Sequence, residues 1–166
     1  MRNRSSGRIA LTLACFILAF GACAPKNHRP GLWLSGDVIE MPVSDWSFSA
    51  EYREIFVETR TWYGIPHSVT TVCASHEGKL YVPSVYSEGG AFPDARFWNR
   101  NVARDPHVRV QLGEEIYARR AVLVSEAVER AGVLEAFATK YPFWRDMLGK
   151  PEAERPTLVL LRMDPQ

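Results

Sequence analysis

Three arginines, Arg96, Arg100 and Arg104, recur every four residues in the stretch RFWNRNVARDPHVRVQLG. On a helix that spacing lines them along one face, roughly 6 Å apart per step. Guanidinium groups in such a row are planar, permanently charged forks that match phosphate oxygens. The same row is also an ordinary solvated face if Glu88, Asp94 or Asp105 offsets its charge. Arg100 leads Arg96 as a ligand donor, and Arg104 is expected in solvent. Trp98 either packs the helix onto its neighbours or stacks on a ligand ring. Nothing else in the chain suggests catalysis by side chains. There is no Ser-His-Asp order and no nucleophile elbow, and His28, His67, His76 and His107 stand singly, without metal-ligand spacing.

The elements that must position the arginine row follow from local pattern. REIFVETRT reads as a strand, and WYGIPHS is a turn punctuated by Gly64 and Pro66. SVTTVCAS is rich in β-formers, with Val69, Thr71 and Cys73 on one face and Ser68, Thr70 and Val72 on the other. HEG at 76–78 signals a hairpin into KLYVPSVY, where Pro83 demands an edge or a bulge. Asp94 is placed to cap the helix ARFWNRNVAR, and Asp105-Pro106 stops it. HVRVQLG and EIYARRAVLVS form a second hairpin. EAVERAGVLEAFATKY is a helix expected to bury Val128, Ala131, Leu134, Phe137, Ala138 and Tyr141. A short helix, PFWRDMLGK, and a last strand, RPTLVLLRM, complete the chain. Hairpins dominate and no β-α-β unit repeats, so the fold class is α+β, mainly antiparallel, with flanking helices.

The 166 residues suffice for one domain with a real core. The first 22 stand apart. Arg2, Arg4 and Arg8 precede the apolar run IALTLACFILAFGA, and Cys23 follows the small pair Gly21-Ala22. That is the pattern of an export signal, and LAFGAC resembles a bacterial lipoprotein site with Cys23 as the lipidated residue. The expected organisation is a signal at 1–22, a tether at 23–31 and a domain at 32–166, held in the bacterial envelope and facing the periplasm or exterior. Cleavage without lipid and an uncleaved anchor helix are the alternatives. Cys15 leaves with the signal, and Cys73 remains as a small buried hydrophobe or, alternatively, the partner of Cys23 in a disulfide. Losing three arginines takes the net charge from +1 to −2, which excludes a nucleic-acid binder on charge.

From about Glu58 to Met163 the chain resembles a split β-barrel oxidoreductase of the pyridoxamine-phosphate-oxidase-like, flavin- and deazaflavin-binding kind. The deazaflavin-dependent nitroreductase branch is the nearest in pattern. YGIPHSVTT, GKLYVPSVYSEGG, RFWNRNVARDPHVRVQLGEEIYARRAVLV and RPTLVLLRMDP carry the likeness. The resemblance implies a split β-barrel, a homodimer, and FMN or a deazaflavin in a groove between subunits. It implies phosphate contacts from Ser68, Thr70, Thr71, Ser84, Ser87, Arg96, Arg100 and Asn101, and reduction of a small organic acceptor such as a quinone or a nitro compound. Trp62 stands where a lysine is expected and His67 where arginine is common, which thins the positive charge available to a deazaflavin tail. A haem is a further expectation. A cofactor-free lipoprotein on the same barrel is the alternative, its groove plugged by Trp62, Tyr63, Trp98 or the DWSF segment. Trp62 and Tyr63 could instead line a pocket or the dimer seam, and Tyr141 and Trp144 resemble a lid or a dimer edge.

Overall fold

The computed structural model describes residues 31–166, so the signal, Cys23, His28 and most of the tether lie outside the described residues. Eight strands form one sheet: β1 Asp37–Ile39, β2 Ile55–Arg60, β3 Pro66–Thr71, β4 Ala74–His76, β5 Lys79–Tyr86, β6 His107–Leu112, β7 Glu115–Leu123 and β8 Thr157–Pro165. Three helices accompany them: α1 Phe97–Arg104, α2 Ala127–Lys140 and α3 Pro142–Leu148. The strand order is β3-β2-β6-β7-β8-β5-β4, antiparallel throughout, with β1 added in parallel to β7. β3 and β4 stand at opposite ends of that order, yet only Val72 and Cys73 separate them in sequence. The sheet must therefore curl back on itself, and the expected antiparallel α+β barrel is present.

Alternation along the strands supplies two cores. Leu80 and Val82 on β5 point into the barrel with Ile55, Val57, Val108, Val110 and Leu161. Tyr81, between them, points the other way, toward Val133, Phe137 and Trp144 of α2 and α3. Both cores and all eight strands lie within residues 31–166. Cys73 is free and fully buried, as expected of a small hydrophobe. Pro83 pairs only with β8, beyond the stretch that β4 covers, so its missing N–H faces an open edge.

Several local expectations shift. The first helix begins at Phe97 and Asp94 does not cap it: Arg96 takes the cap position in an extended conformation, with no side-chain cap. In α2, Val128 is 84% exposed and Val133 is buried instead. The face is set by Val133 and Phe137, one turn apart, and Val128 lies roughly 140° round the helix from Val133. Tyr141 and Trp144 form neither lid nor edge. Trp144 is buried and stacks on Phe137 at 4.6 Å. The Tyr141 hydroxyl bonds the carbonyl of Cys73 at 2.9 Å, and burial first pushes its phenol up to about 12.

Candidate functional site

β5 and β2 are separated in the sheet by β8, β7 and β6, and α1 spans the gap between them. Eight residues make a helix about 12 Å long. Each end is held by an arginine. Arg96 donates from Nε and Nη2 to the carbonyl of Val85, at 3.0 and 2.7 Å. Arg104 donates to the carbonyl of Arg60. Between them, Ser84 Oγ donates to Asn99 Oδ1 at 2.8 Å and Asn101 Nδ2 donates to Thr59 Oγ1 at 3.0 Å. Trp98 and Val102 drop into the barrel core. Arg96 and Arg104 therefore complete backbone acceptors at the ends of two strands.

Arg100 behaves differently. It is exposed, has no carboxylate partner among the described residues, and lies over the Phe97 ring at 5.5 Å. Phe97 in turn meets the His67 ring edge-on at 5.2 Å. Around this helix three buried polar atoms have no partner: His67 Nδ1, Asn99 Nδ2 and Tyr86 Oη. Burial pushes the Tyr86 phenol up, so it stays a proton donor. A buried donor or acceptor left bare costs about 1–3 kcal/mol unless a water or a ligand meets it.

The remaining expected donors are dispersed. On β3, Ser68 and Thr70 pair with Glu58 and Phe56 and share the outer face of the sheet; Thr71 pairs with Ile55 and faces inward. Ser68 is buried and occupied: the Gly31 N–H donates to its Oγ at 2.9 Å. Thr70 is exposed. Ser87 opens, together with Tyr86, onto a different cleft, of about 590 Å³, lined by Phe143, Asp146, Lys150 and Arg155 and by no residue of α1. Ser84, Asn101 and Arg96 are the site residues that the tertiary structure brings together at α1 with Arg100. Asn99, Tyr86 and Thr59 join them without having been singled out in the sequence. Asparagine competes with helical hydrogen bonds and is disfavoured mid-helix. The Asn-Arg-Asn triplet at 99–101 was therefore a legible sign that two side chains had tertiary partners.

A second cleft, about 410 Å³, lies on the outer face of β2, β6 and β7. Glu58, buried, accepts from Leu34 N–H at 2.5 Å and from Arg109 Nη1 at 3.2 Å. Asp105 pairs with His107 at 2.7 Å, a hydrogen bond that holds the carboxyl below its ordinary range. Positive and negative groups balance here, so the cleft is no anion site. Inside the barrel Trp46, Phe48 and Tyr117 pack together, with Trp46 to Tyr117 at 4.8 Å. Trp98 is part of that core and is not free to stack on a ligand, while Trp62 and Tyr63 are exposed.

No protein-family model matches the chain, and no curated protein matches it. Solved structures do. A chain solved as a domain-swapped dimer superposes with TM-score 0.54 at 18% identity, covering 68% of this chain and 80% of that one. HutZ, the haem storage protein from Vibrio cholerae, gives 0.53 at 15% identity, covering 72% and 85%. A Listeria innocua protein provisionally named a pyridoxamine 5′-phosphate oxidase gives 0.50 at 16% identity, covering 71% and 87%. The fold is the split barrel of the pyridoxamine 5′-phosphate oxidase-like structures. At these identities the likeness is one of backbone architecture. It assigns no ligand to α1.

Proposed function

We propose that this protein is a redox protein of the bacterial envelope, tethered at a lipidated Cys23. It binds a flavin-type cofactor, FMN or a deazaflavin, against α1 at the seam of a homodimer, and it reduces a small organic acceptor such as a quinone or nitro compound. The observation that carries the reading is the unpaired Arg100 on a helix flanked by the partnerless His67, Asn99 and Tyr86 atoms. These groups fit an anionic, heteroatom-rich ligand: a guanidinium for phosphate, an amide and a phenol for ring or ribityl acceptors. Arg100 binds the anion, the free Nη1 of Arg96 stands as a further donor, and Phe97 shields one side from water. A bound flavin-type ring supplies two-electron chemistry, and the chain supplies binding and orientation. The dimer is supported by the neighbour solved as one, and the tether by the basic-apolar-small pattern that ends at Cys23.

The second reading, a cofactor-free lipoprotein, is favoured by the filled barrel and by Ser68, Ser84 and Asn101 being bonded within the fold. Titration of the purified protein with FMN, deazaflavin and haem separates the two. A saturating flavin at a hundred times its Kd adds about 2.7 kcal/mol of stability, a melting shift of several degrees. A shift with either flavin that Arg100→Gln removes supports the redox reading. No response to any of the three ligands leaves the cofactor-free one.

A further inference from the structure

A separate surface caps the β2–β3 hairpin. The turn closes with Thr61 N–H to the Ile65 carbonyl at 3.1 Å and Gly64 N–H to the Thr61 carbonyl at 3.0 Å. Gly64 sits at φ +83°, which a side chain would resist. The tip throws its large side chains outward: Trp62 is 76% exposed, Tyr63 52% and Ile65 48%. The Trp62 and Tyr63 rings pack edge-on at 5.2 Å, against each other and away from the barrel core. Phe97, 40% exposed, lies on the adjoining helix. Exposed apolar groups gathered like this mark a contact surface rather than ordinary scatter.

Charge identifies the partner. Arg60 begins the turn, Arg104 is bonded to its carbonyl, and Arg100 lies one helical turn further along α1. Neither the 59–75 segment nor α1 contains a single carboxylate. The flanking carboxylates are already engaged, Glu58 by Arg109 and Asp105 by His107. Trp and Tyr at a tip with arginines behind them is the composition of a membrane interface, where amphipathic rings sit at the headgroups and cations meet anionic lipid. Chain geometry agrees. The Gly31 N–H and carbonyl both bond Ser68, so Gly31 lies against β3 three positions beyond Ile65, about 10 Å away. Seven residues separate Gly31 from Cys23, and the eight Cα–Cα steps reach at most about 28 Å. A bilayer holding Cys23 is thus within reach of the turn.

We propose that the Trp62–Ile65 turn, backed by Arg60 and Arg104, seats the domain on an anionic lipid bilayer. The seating takes its direction from the tether reading and is independent of any cofactor.

The test uses the chain from residue 24 onward, without the anchor, which keeps both cores and every strand. It is sedimented with phosphatidylglycerol vesicles and, separately, phosphatidylcholine vesicles at low salt. The proposal expects binding to phosphatidylglycerol that weakens with salt. The double variant Trp62→Ala, Tyr63→Ala should bind at least about tenfold more weakly, and Arg60→Gln about fivefold. Val128→Ser, at an 84% exposed apolar residue, should bind as the parent does. All these positions are exposed, and unchanged melting temperatures confirm the fold. Absence of binding to phosphatidylglycerol overturns the proposal, as does a double variant that binds normally. A double variant that turns a dimer into monomers, with the parent not binding vesicles, assigns the turn to a second copy of the chain. The tether is read separately, from the mass of the Cys23 peptide in whole cells, so its failure is distinct from failure of the seating.

Discussion

Two neighbouring residues of α1 should separate under mutation, because one holds the helix and the other faces outward. Asn101 is 1% exposed, and its amide donates to Thr59 Oγ1, which itself donates to the His67 carbonyl at 3.1 Å. Asn101→Ala strips the buried hydroxyl of its donor at a cost of about 1–3 kcal/mol. Alanine returns about 0.6 kcal/mol through better helix propensity, which leaves a loss of about 1–2 kcal/mol. At roughly 3 °C per kcal/mol for a domain of this size, the melting point should fall by about 3–6 °C. Arg100→Gln removes a cation from an exposed site whose recorded contact is the Phe97 ring at 5.5 Å. That is worth about 0.5 kcal/mol, so the melting point should move by less than about 2 °C. On flavin affinity the Arg100 change costs a charge-assisted hydrogen bond, about 1.5–3 kcal/mol, or roughly tenfold to a hundredfold in Kd. Calorimetric melting and flavin titration on the same two variants read both quantities. An Asn101→Ala protein that melts like the parent would refute α1 as a held bridge. An Arg100→Gln protein that melts as low as Asn101→Ala would show the arginine to be structural, and the ligand reading would fall with it.

Three further outcomes are expected. Trp144→Ala empties a buried site stacked on Phe137 and should cost about 3–5 kcal/mol in urea unfolding, whereas the adjacent Phe143→Ala, at 67% exposure, should change little. A Cβ on Gly36 would meet the Glu114 carbonyl oxygen at 2.1 Å, so Gly36→Ala should lift the 31–39 arm and break the Asp37 N–H bond to that carbonyl. Faster amide exchange confined to 31–39 would confirm it, and unchanged exchange there would count against it. The Arg162 hydrogen bond first, and then that from Tyr81, holds the Glu129 carboxyl below its ordinary 4.5. A depressed carboxylate stabilises the fold above that ordinary value and loses its contribution as pH falls through the lowered one. The stability gap between the parent and Glu129→Gln should therefore be widest near neutrality and shrink below about pH 4; a gap that widens with acid would contradict the assignment.

Much of the barrel was legible in the chain because its signals are local. Glu77 and Gly78 both take positive φ at the turn that HEG announced, and Gly113 does so between β6 and β7. Alternation in β3 already set Thr70 and Thr71 on opposite faces, so one ligand could not take both from the same side. The arginine row was read as a possible phosphate face, yet two of its three members answer to strand-end carbonyls. Arg96 reaches across 11 residues of sequence and Arg104 across 44.

Hydrophobic period and turn residues are properties of neighbouring residues, and the sequence alone determined strands, hairpins and helices. Which polar side chain on α1 is spent and which is free depended on where β2, β3 and β5 come to lie. The decisive partners of Asn99 and Asn101 are 15 and 42 residues away. Hydrogen-bond satisfaction is a three-dimensional property, and only the closed barrel shows that Arg100 is left over.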